Sequence, residues 1–189
     1  MKNKGKLVVI VAPSGAGKST LIKRLKVDFP QLEESVSFTT RGPREGEVHG
    51  THYFFLSIPE FKEMIEKNEF IEWAMVHENY YGTSKPFVQG KLDEGTSILF
   101  DIDVQGADNI KKIFGDEAQT IFIAPPSIDV LEQRLRGRGT EKEETIQVRI
   151  KNAREELKRQ NDYDHCVIND DLDKAHENLK EVFQAILEG

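Results

Sequence analysis

Four short apolar runs punctuate the chain, at residues 7–11, 98–102, 120–124 and 165–168. Each is rich in β-formers and nearly uniform in hydrophobicity, the pattern of strands buried on both faces of a parallel sheet. Helical spacing of apolar positions follows the first three, over 20–26, 104–114 and 128–136, and a further amphipathic stretch over 172–187 closes the chain. The alternation predicts an α/β fold with a parallel sheet and helices on both faces.

Between residues 35 and 95 the rhythm changes. Short, half-polar strand patterns fall at 36–39, 52–55 and 70–76, and Pro59 opens a helix that runs to Lys67. This predicts a mixed α+β lobe inserted into a core made of 1–34, 96–136 and 161–189. A second insertion, 137–160, is highly charged and mostly helical, and is entered through Arg136-Gly137-Arg138-Gly139. Glycines beside arginines suit a mobile helical lid better than a packed wall. With 189 residues, 38% of them hydrophobic, the chain is expected to fold as a single domain carrying these two insertions.

Charge narrows the partners. Charged residues make up 31% of the chain and the net charge is -7, which speaks against a nucleic-acid binder, so any phosphate site must be a local basic cluster. The single cysteine, in Cys166-Val167-Ile168, reads as a buried strand thiol and fits a reducing, cytoplasmic setting. The basic start followed by an apolar run faintly resembles a secretory leader, but that run is only five residues long, and no other run approaches a membrane span. The five histidines show no metal-ligand spacing, and His49, His52 and His77 are expected to be structural or solvent-facing.

The strongest local signal is Ala12-Pro13-Ser14-Gly15-Ala16-Gly17-Lys18-Ser19-Thr20, directly after an apolar strand and directly before a helix. That is the context of a Walker A phosphate loop. Small residues let backbone N–H groups turn inward around phosphate oxygens at a helix N-terminus, where the dipole favours negative charge. Lys18 is placed to reach the β and γ phosphates of a nucleoside triphosphate, and the Ser19 hydroxyl to reach Mg²⁺. The strict pattern starts with glycine where Ala12 stands, and an ordinary glycine-rich β-α turn is the alternative reading.

Further segments then resemble one family in order along the chain. Ser35-Val36-Ser37-Phe38-Thr39-Thr40-Arg41-Gly42-Pro43-Arg44-Glu45-Gly46-Glu47, Asn79-Tyr80-Tyr81-Gly82, Asp101-Ile102-Asp103-Val104-Gln105-Gly106, Ala124-Pro125-Pro126-Ser127, Arg134-Leu135-Arg136-Gly137-Arg138-Gly139-Thr140 and Val167-Ile168-Asn169-Asp170-Asp171 resemble the segments of guanylate kinases, the P-loop enzymes that phosphorylate GMP with ATP. The phosphate loop of that family tolerates alanine at the position of Ala12. The resemblance implies transfer of a phosphoryl group from ATP to GMP, and to dGMP, with Mg²⁺ as cofactor and these small molecules as partners. Neither nucleic acid nor membrane is implied, and nothing in the pattern sets an oligomeric state.

Individual residues carry these expectations to different depths. Arg41 and Arg44 lie three apart around a proline, where two guanidinium forks can converge on one phosphate. The resemblance adds Tyr53 and Tyr81 to that phosphate site; packing aromatics are the alternative. Guanine presents two donors on one edge, so its site needs acceptors. By resemblance Glu72 and Asp103 take that edge, with hydroxyl contacts from Ser37 and Thr83, where the family often has serine at position 83. Glu72 alternates with Ile71 and Trp73 on its predicted strand and, taken alone, also fits an edge-strand surface charge. Asp101 and Asp103 sit two apart at the carboxyl end of a strand, hence on one face, bordering the crevice where α/β sheets bind ligands. Asp101 is assigned to the Mg²⁺ shell, directly or through water, although either aspartate also suits a helix cap. Arg134, Arg138 and Arg149 supply positive charge for phosphoryl transfer from the lid side. Asn169 corresponds to the family's adenine-side loop.

Two rival functions stay in view. A kinase for AMP or UMP is disfavoured by the acceptor pair Glu72 and Asp103. Guanylate-kinase-like peptide-binding modules have lost catalysis and typically lack the intact Gly17-Lys18-Ser19 that is present here.

Overall fold

The computed structural model describes residues 4–76, 78–137 and 142–189. Its core is a five-stranded parallel sheet of β1 (Leu7–Val11), β2 (Glu33–Glu34), β7 (Ile98–Asp101), β8 (Ala118–Ala124) and β9 (His165–Ile168), ordered β2-β7-β1-β8-β9. β1 is central, and all five of its side chains are fully buried. Val8 and Ile10 face one layer, with Leu21, Leu25, Leu179 and Phe183 from α1 (Lys18–Asp28) and α7 (Leu172–Glu188). Leu7, Val9 and Val11 face the other, with Val88, Leu92, Ile110 and Phe114 from α3 (Lys85–Asp93) and α4 (Val104–Phe114). Burial on both faces is why this strand reads as an unbroken apolar run.

The inserted lobe is a second sheet, ordered β4-β3-β6-β5, of β3 (Phe38–Thr39), β4 (Phe54–Phe55), β5 (Phe70–Val76) and β6 (Asn79–Ser84). β3 and β4 run parallel, whereas β6 is antiparallel to both β3 and β5. An aromatic cluster fills it: Phe61 stacks on Phe70 at 4.3 Å and Phe38 on Phe54 at 4.6 Å between ring centroids. The helix expected from Pro59 is α2 (Ile58–Glu66), opened by a reciprocal cap in which Ser57 and Glu60 satisfy each other's backbone N–H groups.

Several boundaries depart from expectation. β3 and β4 hold only two residues each, and β2, β6 and α3 carried no signal in the hydrophobic pattern. α3 contains Pro86 and Gly90, both poor interior helix formers; Pro86 is tolerated in the first turn behind the Ser84 cap, and buried Val88 and Leu92 supply the packing. Cys166 corrects the expectation of a buried thiol, because it is exposed. β9 is an edge strand whose inward position is Val167, and Cys166, one residue earlier, faces the opposite way.

α5 (Ile128–Gly137) leads toward the charged insertion, and α6 (Glu143–Lys158) forms most of it. α6 buries Ile146, Ile150 and Ala153 in the same core layer as α1 and α7, so in this conformation it is docked along an apolar stripe. Arg136, at the end of α5, is an exposed charge with acidic partners, Glu132 at 2.8 Å and Glu143.

Candidate active site

The strand order reverses at β1, which is flanked by β7 and β8, and the crevice at the carboxyl end of such a switch point is where α/β sheets bind ligands. The loop from Ala12 to Gly17 occupies that place. Gly15 and Gly17 have φ of +95° and +94°, values that side chains with a Cβ rarely adopt, and Ala16 N–H donates to Pro13 O at 3.0 Å to close the turn. Gly17 caps α1 without a side chain, leaving the first turn of the helix open to an anion. Ser19 and Thr20 are exposed on that turn, while Pro13 and Ala16 are buried beneath it.

Lys18 Nζ lies 2.6 Å from Asp101 Oδ1 and donates to the Ile102 carbonyl at 2.8 Å. β7 ends at Asp101, so Asp103 does not share a strand face with it, contrary to the sequence reading. Asp103 instead caps α4, accepting from Gly106 N–H at 2.9 Å. The two carboxylates therefore part: Asp101 turns to the phosphate loop and Asp103 to a neighbouring cleft.

That cleft, of about 360 Å³, is lined by Ser37, Glu72, Tyr81, Thr83, Asp103 and Asn109 among others. Glu72 follows a bulge in the β5–β6 pairing, which buries Ile71 in the core and turns the carboxylate into the cleft. Burial pushes the Glu72 carboxyl above its ordinary range and the charge of Asp103 adds to this, while a hydrogen bond from Asn109 opposes it. A larger hollow of about 620 Å³, lined by Lys4, Lys6, Glu117 and His165 among others, lies at the amino-terminal ends of the strands, away from the switch point.

Beside the cleft, Arg41 Nη2 pairs with Glu47 Oε1 at 2.8 Å and Nη1 donates to Gly42 O at 2.8 Å. The guanidinium sits 5.4 Å from the Tyr53 ring centroid, and Tyr53 meets Tyr81 edge to face at 6.1 Å. Glu47 Oε2 also accepts from Arg44 N–H at 2.7 Å. The Arg41 guanidinium, and then the Arg44 backbone, hold the Glu47 carboxyl down at about 2. Arg41, Tyr53 and Tyr81 are thus brought together around one point, with the Arg44 side chain exposed at its rim.

From the opposite side, Arg134 on α5 donates to Asp170 O at 3.2 Å and Arg149 on α6 to Ser14 Oγ at 3.2 Å, which brings a guanidinium to the phosphate loop. Arg138 and His77 lie outside the described residues. His52 Nδ1 accepts from Val48 N–H and His49 Nδ1 from Phe55 N–H, both structural tasks in the turn before β4. Asn169 is buried, and its side-chain amide reaches Ala16 O at 2.7 Å.

The family model described as guanylate kinase matches residues 4–186. This chain belongs to the guanylate kinase family. It is similar to the guanylate kinase of Rickettsia felis, 46% identical over 98% of this chain and 96% of that one. It is also similar to that of Caldanaerobacter subterraneus, 49% identical over 98% of this chain and 89% of the other. Among solved structures, the guanylate kinase of Anaplasma phagocytophilum superposes with a TM-score of 0.66 at 30% identity, covering 97% of this chain and 87% of that one.

Within this guanylate kinase fold, three site residues escaped the sequence reading of roles. Glu47 was visible only as part of a motif, because its two partners depend on the turn that folds it back over Arg41. Asn109 sits four residues after Gln105 on α4, and that helical spacing places both on the cleft. Glu156 on α6 is half-buried; burial first and then the charge of Asp103 raise its carboxyl, against the lowering effect of Lys18, so it faces the same centre. No local pattern separates it from the other glutamates of α6.

Proposed function

We propose that this chain transfers the γ-phosphoryl group of ATP to GMP, giving ADP and GDP, and that it accepts dGMP as well. The observation that carries the reading is the cleft in which two carboxylates, Glu72 and Asp103, stand with the hydroxyls of Ser37 and Thr83. Guanine N1–H and its 2-amino group need acceptors, and adenine lacks that donor pair. Arg41, Arg44, Tyr53 and Tyr81 hold the phosphate of GMP. Every group named contacts base or phosphate, so loss of the 2′-hydroxyl removes none of these contacts.

On the donor side the loop from Ala12 to Thr20 cradles the ATP phosphates, with Lys18 moving from Asp101 to the β and γ oxygens. An oxygen of the GMP phosphate attacks the γ-phosphorus as the bond to the β–γ bridging oxygen breaks, and ADP carries away the electron pair. Arg134, Arg138 and Arg149 stabilise charge on the equatorial oxygens. The residues present fit Mg²⁺: the Ser19 hydroxyl and the Asp101 carboxylate are hard oxygen donors at the mouth of the loop, and this ion takes most of its remaining ligands from phosphate and water. Bound there, Mg²⁺ supplies charge neutralisation of the transferring phosphoryl group.

The test is ADP release with ATP, Mg²⁺ and each common nucleoside monophosphate. GMP and dGMP are expected to be used and AMP to be poorer by about 10⁴ or more, since the acceptors would be left unpaired. Comparable efficiency with AMP and GMP would refute the assignment. Binding of GMP without turnover would instead favour a catalytically silent binding module.

A further inference from the structure

Asn169 is 4% exposed, and its position is set from two directions. Its backbone N–H donates to Ala124 O at 2.7 Å, continuing the β8–β9 ladder past the end of β9, and its side-chain Nδ2 donates to Ala16 O at 2.7 Å. A Cβ added to Gly17 would meet Nδ2 at 2.3 Å, far inside contact distance. The amide therefore packs directly against Gly17, and glycine is required there for its φ of +94° and for this approach.

A trans peptide is planar, so the carbonyl of Ala16 and the N–H of Gly17 point in opposite directions. With Ala16 O turned to Asn169, the Gly17 N–H points away from Asn169. We propose that Asn169 is a positioning residue for the phosphate loop: by fixing the Ala16–Gly17 peptide it aims the Gly17 N–H at phosphate oxygens, independently of the nucleotide base. This rests on the reading of the loop as the ATP phosphate site. It differs from the adenine-contact role implied by resemblance, because Nδ2 is already committed to Ala16 O and the residue is buried.

The base-free probe is Mg²⁺ tripolyphosphate, measured by calorimetry beside ADP and GMP. Asn169→Asp, isosteric but unable to donate to Ala16 O when ionised, and Asn169→Ala are expected to weaken tripolyphosphate and ADP by the same factor, about tenfold, the order a single lost hydrogen bond commands. GMP affinity, which reports on the other lobe, stays within about twofold, and the KM for ATP rises more than kcat falls. Asn169→Ser, smaller but still a donor, recovers part of the loss and covers the case in which the first two variants fail to fold. A loss confined to ADP, with tripolyphosphate binding intact, would overturn the proposal in favour of an adenine contact. Equal loss of GMP and ADP affinity in every variant would overturn it in favour of general damage to the fold. Failure of the unmodified protein to bind tripolyphosphate would instead sink the reading of the loop itself.

Discussion

Lys18 and Asp101 form the ion pair at the centre of the site, with Nζ to Oδ1 at 2.6 Å and the Ile102 carbonyl completing the ammonium's contacts at 2.8 Å. The pair joins the phosphate loop to the end of β7, so two elements distant in sequence share one charge. Lys18→Met keeps length and helix propensity but removes the cation proposed to act on the transferring phosphoryl group. ADP formation is expected to fall by at least about 10², the scale of a single electrostatic donor in a transition state. The melting temperature changes little, because the pair is partly exposed and such pairs contribute about 0–1 kcal/mol. Calorimetry should find GMP binding near normal; full activity in the variant would remove the loop from catalysis.

Asp101→Asn breaks the ion pair with Lys18 and takes one hard oxygen donor from the proposed Mg²⁺ position. The half-saturating Mg²⁺ concentration is expected to rise by about tenfold or more, the scale seen when groups supporting a metal site are changed. An unchanged Mg²⁺ dependence of kcat at saturating nucleotide would show that Asp101 serves only as the partner of Lys18.

Glu72 sets a pH dependence. Its folded carboxyl is raised above the ordinary 4.5, by burial first and by Asp103 second. Between 4.5 and the higher folded value the folded chain holds more protons than the unfolded one, so this group's contribution to stability falls as pH rises through that window. Under the proposed function base recognition requires the carboxylate, so GMP affinity should drop on acidification from above the ordinary glutamate range. Glu72→Gln is expected to lose GMP use, to be at least as heat-stable at neutral pH, and to flatten the acid limb of the GMP binding profile. A limb unchanged in Glu72→Gln would place the titration elsewhere.

Glu47 behaves oppositely. Its carboxyl is lowered to about 2 by Arg41 and Arg44, so its contribution is fully present above 4.5 and is lost as pH falls through about 2. It therefore stays charged across the working range and ties the Arg41 and Arg44 turn together. Glu47→Ala should raise the KM for GMP by about three- to tenfold, the worth of one ordinary net hydrogen bond, with kcat little altered. A fall in kcat at unchanged KM would assign Glu47 to the transfer step instead.

The inserted lobe depends on its aromatic packing. Phe61 is fully buried, 4.3 Å from Phe70 and 5.3 Å from Tyr80 between ring centroids. Phe61→Ala is expected to cost about 3–5 kcal/mol in denaturant unfolding, from lost transfer energy and the cavity left behind. A loss below about 1 kcal/mol would mean that the lobe repacks freely.

The parallel core was legible because every residue of β1 is apolar and every one is buried on one face or the other. The lobe was less so. Its sheet rests on two-residue strands, and β6 carries Tyr80, Gly82 and Thr83, whose pairing is decided by neighbours rather than by local preference. At the site, the glycine-rich turn before α1 was legible in local sequence, whereas Glu47 takes its contacts from the turn that folds it over Arg41, and Asn109 and Glu156 theirs from packing across the fold.

The sequence alone determined the alternation of β1, β7, β8 and β9 with the helices that follow them, the glycine-rich loop before α1 and the family, since these rest on residue type at short spacing. The tertiary structure decided which way individual groups face. Asp101 and Asp103, two residues apart, separated because β7 stops between them and α4 needs a cap. Cys166 became exposed because β9 is an edge strand, and Asn169 turned its amide to Ala16 because the same strand ends beside the phosphate loop. Strand order is a nonlocal property: it is set by how helices cover the two faces of the sheet, and a window of neighbouring residues does not contain that information.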